Sequence, residues 1–380
     1  MFDSEDHSFM KRAFRLAEEG EGLSSPNPSV GCLIVKNGEI VGRGFHEYDL
    51  RDHAEVRALR EAGDAARGAT AYVTLEPCSH EGRTPPCADK LIQSGVRRVV
   101  AAIRDPNPRV SGRGIEKLRA AGITVDVGLK SDAAGKIIEA FACHVTTGRP
   151  LVVAKAGMSL DGKIGTGFPE GRQITSPQGL EFGQRLRLRY DALLVGVGTV
   201  LADDPELTYR GQRPKRQPLT RVILDARLRT PRTGRMFQNR QSPILIFCGA
   251  EASPSKKTAL ERAGAEIVTV PEIKGELDLP SVLEELGRRN ILGVLVEGGS
   301  RIHGSFLTRN LVDVFYFIIA PMVLGGAKSI PLASGDGCAS TADAPKFRIR
   351  KKYQAGTDLI LEAYPSASRS IVSPWKSSIG

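Results

Sequence analysis

The chain has 380 residues, more than one ordinary hydrophobic core organises, so two domains are the starting expectation. Its 41% apolar and 25% charged residues are the balance of a soluble globular protein; the longest apolar run, Val312 to Leu324, is broken by Asp313 and Pro321 and reads as a buried strand, which argues against a membrane span. The net charge of +10 favours anionic ligands, but aromatics at 6% and the lack of an aromatic-interleaved basic patch argue against nucleic acid as the partner.

The first residues, Phe2 to Asp6, are acidic and precede no apolar leader, so a cytoplasmic setting with reduced cysteines is expected. Asp6 to Glu19 has helical spacing. A turn-rich loop, Ser24 to Pro28, leads to strands at Val30–Val35 and Glu39–Phe45, joined by the hairpin dipeptide Asn37-Gly38. A helix is predicted from His53 to Ala62, a strand at Ala71–Leu75, a short helix at Ala88–Ser94 and a strand at Val96–Ile103. Helix, strand and helix follow at Gly114–Ala121, Ile123–Val127 and Ala133–Thr146. The stretch Thr146 to Pro150 reads as a boundary, giving domains over 1–147 and 148–364 and a loose Ser/Pro-rich tail over 365–380.

Beyond the boundary the pattern restarts with a strand at Leu151–Ala156 and a helix at Ser176–Tyr190. Strands follow at Ala192–Val197, Arg221–Asp225 and Pro243–Cys248, then a helix at Ser255–Ala263 and a strand near Val268. A helix at Leu279–Arg289, a strand at Gly293–Glu297, a helix opening at Gly299 and a strand at Val312–Ile319 complete the pattern. Strands alternating with helices predict α/β sheets in both halves.

Three residues combine in the first half as a metal set. His53 opens a helix, Cys78 follows a strand 25 residues later, and Cys87, nine residues further on, follows Pro85-Pro86 at the next helix start. One imidazole and two thiolates leave a zinc ion its open fourth position, and helix starts favour the thiolate form. Glu55, two residues from His53, is placed to move the proton of an attacking water. Zinc deaminases show His-x-Glu with Pro-Cys-x-x-Cys; here eight residues, not two, separate the cysteines. The other cysteines, Cys32, Cys143, Cys248 and Cys338, are read as core packing, and His46 and His80 as candidate substrate contacts.

In the second half, Lys155 to Gly162, Gly196 to Thr208 and Val296 to Ser300 each follow a strand, where α/β sheets gather ligands and glycines admit a phosphate. Arg187 points on the order of 160° away from Arg185 and Arg189 on its helix, so it has a role separate from theirs.

The runs Pro26 to Gly31, His53 to Glu55 and Glu76 to Cys87 resemble the deaminase part of the RibD family of bifunctional riboflavin-biosynthesis enzymes, whose long inter-cysteine loop also ends Thr-Pro-Pro-Cys. The second-half motifs resemble that family's reductase part. The resemblance implies a cytidine-deaminase-like three-layer α/β/α domain followed by a dihydrofolate-reductase-like α/β domain. It implies one Zn²⁺, NADPH, and a phosphorylated diaminopyrimidinone whose ring amino group is lost before its ribosyl group is reduced. Asn27, His46, His80 and Arg83 are then expected on the first substrate, and Gly171, Arg187, Leu207, Arg210 and Glu297 on the second. Gly157, Gln173, Thr199, Asp203 and the run Gly299, Ser300, Arg301, Ile302, His303, Gly304 and Ser305 are expected at the cofactor; Gln173 stands where some relatives carry an aromatic ring. A homo-oligomer, dimer or tetramer, is expected. The alternative is a zinc deaminase of another nucleobase or of RNA with an accessory second domain. A non-enzymatic protein built around a structural zinc would need a fourth ligand, and the sequence offers no convincing one.

Overall fold

The computed structural model describes residues 2–81, 85–108, 110–168 and 173–366. Among the described residues the chain divides into two compact units, 2–148 with 214–216, and 149–213 with 217–366. Among the described residues no helix is long and apolar enough to cross a membrane.

The first unit runs α1 (Ser4–Glu19), β1 (Gly31–Lys36), β2 (Glu39–Phe45), α2 (Ala54–Ala62), β3 (Thr70–Val73), α3 (Cys87–Gln93), β4 (Arg98–Ala101), α4 (Arg113–Ala120), β5 (Thr124–Val127), α5 (Ser131–Ile137) and α6 (Glu139–Thr147). The sheet order is β2-β1-β3-β4-β5, with β1 antiparallel to both neighbours and β3, β4 and β5 parallel. Asn37 and Gly38 both take positive φ (52° and 80°), as the tight hairpin requires.

Glycines decide how closely the helices approach this sheet. A Cβ at Gly31 would meet Ala13 O of α1 at 2.1 Å, while a Cβ at Gly42 or Gly44 would meet Ala58 O or Ala54 O of α2 at 2.1 Å. Gly44 pairs with Cys32, the neighbour of Gly31, so alternation along the strands puts α1 and α2 on opposite faces. The start of α2, and with it His53, is thereby held against the strand ends. Asp6, in the capping box that opens α1, accepts hydrogen bonds from Tyr72 Oη (2.8 Å) and Arg98 Nη1 (2.7 Å), tying α1 to β3 and β4. The helix expected over Ala133–Thr146 is two helices, because Ile138 leaves the helical region (φ −97°, ψ 12°).

The second unit runs β6 (Leu151–Ser159), β7 (Lys163–Gly165), α7 (Pro177–Arg189), β8 (Ala192–Gly196), α8 (Val197–Asp203), β9 (Thr220–Leu224), β10 (Ile244–Cys248), α9 (Pro254–Ala263) and β11 (Ala265–Thr269). It continues through the short β12 (Glu272–Ile273) and β13 (Glu276–Leu277), α10 (Leu279–Arg288), β14 (Gly293–Val296), α11 (Ser300–Thr308), β15 (Val314–Ala320), β16 (Ile330–Pro331), β17 (Phe347–Ala355) and β18 (Asp358–Pro365). Nine strands form one sheet in the order β11-β10-β9-β8-β14-β6-β15-β18-β17, parallel from β11 to β15 and closed by an antiparallel hairpin.

That hairpin is absent from the sequence reading. β17 is an edge strand carrying Arg348, Arg350, Lys351 and Lys352, charges that suit an unpaired edge and erase the apolar alternation by which a strand is recognised. β18 continues through Pro365, and the tail from 367 lies outside the described residues. Val197 opens α8 rather than ending β8. Cys338, read as core, is exposed, whereas Cys32, Cys143 and Cys248 are buried as expected.

Candidate active sites

In the first unit the local chain direction sets each group. His53 is the N-cap of α2 in extended conformation (φ −73°, ψ 163°), and Glu55 sits in the first turn with its carboxyl buried. Pro85-Pro86 deliver Cys87 as the first residue of α3, whose opening turn wraps Cys78: Cys87 N donates to Cys78 Sγ (3.3 Å) and Ala88 N to Cys78 O (3.1 Å). His53 Nδ1 lies 3.2 Å from Cys87 Sγ and 3.6 Å from Cys78 Sγ, and the three donor atoms fall within 4.8 Å of one another. One imidazole nitrogen and two sulfurs converging on a point are the donors zinc takes, so these residues fit the ion.

The thiol of Cys78 is held well below its ordinary value, first by the hydrogen bond from Cys87 and further by His53, while the same contact and burial push Cys87 up. Burial pushes the Glu55 carboxyl up to about 7, against the pull of His53.

The triad opens on a cavity of about 250 Å³. Asn27, His46 and His80 line it; Arg83 lies outside the described residues. His46 Nδ1 donates to Asp52 O (3.1 Å), which leaves Nε2 to accept from the Asn27 amide (3.0 Å). The Asn27 carbonyl oxygen is then free to accept a hydrogen bond from a base. Sequence reasoning missed Asp105, Asn107 and Phe141, which also line the cavity. The signal was the turn run Asp105-Pro106-Asn107-Pro108 just beyond an apolar strand. Burial raises the Asp105 carboxyl to about 7.

The second unit gathers its charges around Glu297, just past β14. Arg187 Nε and Nη2 donate to the two carboxylate oxygens (3.0 and 2.8 Å), Lys155 Nζ lies 3.3 Å away, and Arg187 Nη1 donates to Thr208 O (2.7 Å). Arg187 thus turns inward while Arg185 is exposed; Arg189, set on the side of Arg185 by the helical phase, is half-buried. Lys155 lies in the strand-end run Lys155 to Gly162, and the sequence alone gave no sign of its contact with Glu297. Leu207, buried at φ 56°, sits in the loop that Arg187 holds, whereas Arg210 is exposed, with Glu206 at 3.7 Å.

The glycines after the strands divide into two kinds. A Cβ at Gly196 or Gly298 would meet Ile302 at 2.7 or 2.6 Å, so these two let α11 dock on the ends of β8 and β14. Gly198 has nothing within 4 Å, and Gly299 would meet only Thr199 Oγ1, at 3.4 Å. Gly157 is needed because a Cβ would come within 2.7 Å of Thr175 Cγ2. Buried Ser300 Oγ and His303 Nδ1, at the start of α11, have no hydrogen-bond partner, and a helix N-terminus attracts phosphate, so this end of the unit fits a dinucleotide. The run Gly299 to Ser305 does not present one face: Arg301 is exposed, Ile302 packs on the glycines, Gly304 faces Ser334 O and Ser305 Oγ meets Glu276 (3.3 Å). Gln173 donates to Thr175 O (2.6 Å), Asp203 ends α8 exposed, and Gly171 lies outside the described residues.

Residues 150–361 match the family described as RibD C-terminal domain, and residues 3–103 the cytidine and deoxycytidylate deaminase zinc-binding region. The riboflavin biosynthesis protein RibD of Bacillus amyloliquefaciens is 41% identical over 94% of this chain and 95% of its own. The chain belongs to the RibD family. The Escherichia coli RibD is also 41% identical, over 94% of this chain and 98% of its own. Acinetobacter baumannii RibD has a solved structure with TM-score 0.85 and 35% identity, covering 95% of this chain and 99% of that one. A Thermotoga maritima structure titled as a diaminohydroxyphosphoribosylaminopyrimidine deaminase and 5-amino-6-(5-phosphoribosylamino)uracil reductase has TM-score 0.82 and 36% identity, with the same coverage. Like its RibD relatives, the protein is a bifunctional deaminase and reductase of riboflavin biosynthesis, with a zinc-dependent deaminase domain and an NADPH-dependent reductase domain. The alternative of an RNA deaminase with an accessory domain falls.

Proposed function

We propose that the first unit deaminates a diaminopyrimidinone carrying a ribosyl 5′-phosphate, with His53, Cys78 and Cys87 as zinc ligands and Glu55 as the proton carrier. The second unit reduces the ribosyl group of the product to a ribityl chain. The convergence of the three donors over a buried Glu55, inside a cavity large enough for a pyrimidine, carries the reading.

Zinc, when bound, supplies the Lewis acidity that makes water a nucleophile near neutral pH. Asn27, oriented by His46, holds the ring edge. Glu55 accepts a proton from the attacking water, gives it to a ring nitrogen as the carbon–oxygen bond forms, and carries the second proton to the departing amine. The carbon–nitrogen bond breaks, ammonia leaves and a ring carbonyl remains. The depth of Glu55 keeps bulk water from competing for these protons.

NADPH, when bound, supplies the reducing equivalent in the second unit. Arg187 and Lys155 hold Glu297 ionised, and its remaining lone pairs accept hydrogen bonds from the sugar hydroxyls, which fixes the carbon to be reduced. The cytoplasmic setting, which keeps thiols reduced, and the homo-oligomeric state belong to this proposal.

Glu55→Gln tests it. Zinc stays stoichiometric by metal analysis, ammonia release falls by about 10² to 10⁴, and NADPH oxidation with the deaminated substrate is unchanged. Retained deamination removes the role given to Glu55, and loss of both activities removes the independence of the two sites.

A further inference from the structure

Glu76 is buried two residues before Cys78, and its carboxylate is used entirely on backbone N–H groups. One oxygen accepts from Asp105 N (3.1 Å) and Gly112 N (2.9 Å), the other from Gly114 N (2.9 Å) and Ile115 N (3.3 Å). These donors bracket the segment between β4 and α4. Gly112 is the N-cap of α4 at φ 86° and has no side chain to cap with, so the free N–H groups of that helix are satisfied by a carboxylate from another element. A second contact joins the same two pieces: a Cβ at Gly114 would lie 1.9 Å from Pro77 O. The first turn of α4 therefore rests on the peptide that leads into Cys78. The bracketed segment contributes Asp105, Asn107 and Val110 to the wall of the cavity that His53 and Cys78 also line.

We propose that Glu76 is a positioning residue that fixes this wall relative to Cys78, and so decides where the pyrimidine ring lies relative to the attacking water. The inference rests on the reading of Cys78 as a zinc ligand. A helix needs a cap of some kind, but a cap supplied from its own N-cap would leave the wall free to shift against the ligand segment. Glu76 makes the two one body.

Glu76→Gln keeps the shape and loses one acceptor oxygen, so one pair of N–H groups then faces an amide that itself donates. Gly114→Ala perturbs the same junction from the α4 side and keeps the carboxylate, its Cβ falling 1.9 Å from Pro77 O and 3.2 Å from Glu76 Oε1. For both variants kcat/KM for deamination falls about tenfold or more, mostly in kcat, since a misplaced ring rather than a lost contact is the defect. Zinc content and NADPH oxidation on the deaminated substrate stay at the wild-type level. Amide hydrogen exchange at residues 105, 112, 114 and 115 speeds up in Glu76→Gln. An unchanged kcat/KM per zinc-loaded molecule, with only a lower melting temperature, reduces Glu76 to a structural cap and overturns the proposal. Zinc loss from Glu76→Gln overturns it as well, because the effect would then be on the ligand and not on the wall. If Glu76→Gln does not accumulate as folded protein, Gly114→Ala decides by the same kcat/KM and zinc criteria. Cys78→Ser separates the underlying reading: stoichiometric zinc and full deamination in that variant would refute the ligand assignment whatever Glu76 does.

Discussion

Replacing Glu297 by Gln removes the carboxylate that pairs with both Arg187 and Lys155. Burial alone opposes ionisation of Glu297, but Lys155 and Arg187 overcome it and hold the carboxyl at about 2, against an ordinary 4.5. Holding the carboxyl that far below its ordinary value corresponds to roughly 3 kcal/mol. Because the folded value is depressed, the stabilisation is fully present above about pH 4.5 and is lost as pH falls toward 2. Gln cannot neutralise the two cations, whose side chains are 14% and 19% exposed, so they repel each other in a site that holds them close. At pH 7 the second unit is expected to lose about 3 kcal/mol, or roughly 6 to 12 °C in melting temperature for a unit of its size. Scanning calorimetry from pH 7 down to pH 3 measures this, with the transition of the second unit identified by its upward shift on adding NADPH. The wild-type transition drops steeply across the acid limb, while that of the variant is lower at pH 7 and flatter below pH 4.5. A variant whose melting temperature keeps the wild-type slope between pH 5 and pH 3 would refute the charge argument.

Zinc removal by a chelator, or Cys87→Ser, is expected to abolish ammonia release and leave NADPH oxidation on the deaminated substrate intact; zinc added back restores the chelated wild type but not the variant. Arg98→Met leaves Asp6 buried with Tyr72 and backbone but no cation, and is expected to destabilise the first unit by about 3 to 5 kcal/mol. Although burial works against it, Arg98 with Tyr72 holds the Asp6 carboxyl below its usual value, so this stabilisation fades as pH drops below about 4. Denaturation followed by far-UV circular dichroism at pH 7 and pH 3 tests both statements: the gap between variant and wild type should narrow in acid, and a constant gap would sink the argument.

The His53, Cys78 and Cys87 cluster, which could hold a metal ion, was legible because its grammar is local. His53, Cys78 and Cys87 each stand where an element begins or ends, and Glu55 lies within one turn of its partner. Asp105 and Asn107 were not legible, since a polar turn after a strand looks alike whether it faces water or a cavity. Lys155 was hidden in the same way: a lone cation inside an apolar strand acquires meaning only when Glu297, 142 residues away, is seen beside it. The β17–β18 hairpin escaped because its exposed edge carries charge where a buried strand carries apolar alternation.

Periodicity, turn chemistry and the spacing of metal-type residues determined the two-part α/β architecture, the hairpin at Asn37-Gly38 and the zinc set, because each is written within a few turns or strands of chain. Tertiary structure alone decided which buried groups meet: Glu76 with the start of α4, Asp6 with Arg98, and Glu297 with Arg187 and Lys155. It also separated the glycines that admit a helix, Gly196 and Gly298, from those facing open space, Gly198 and Gly299. The physical reason is that a buried charge or a missing Cβ has its energy set by neighbours distant in sequence. For the His53, Cys78 and Cys87 constellation, the sequence proposed the residues together with Glu55, and the fold brought the three donor atoms within 4.8 Å of one another, buried Glu55 and added the pocket wall.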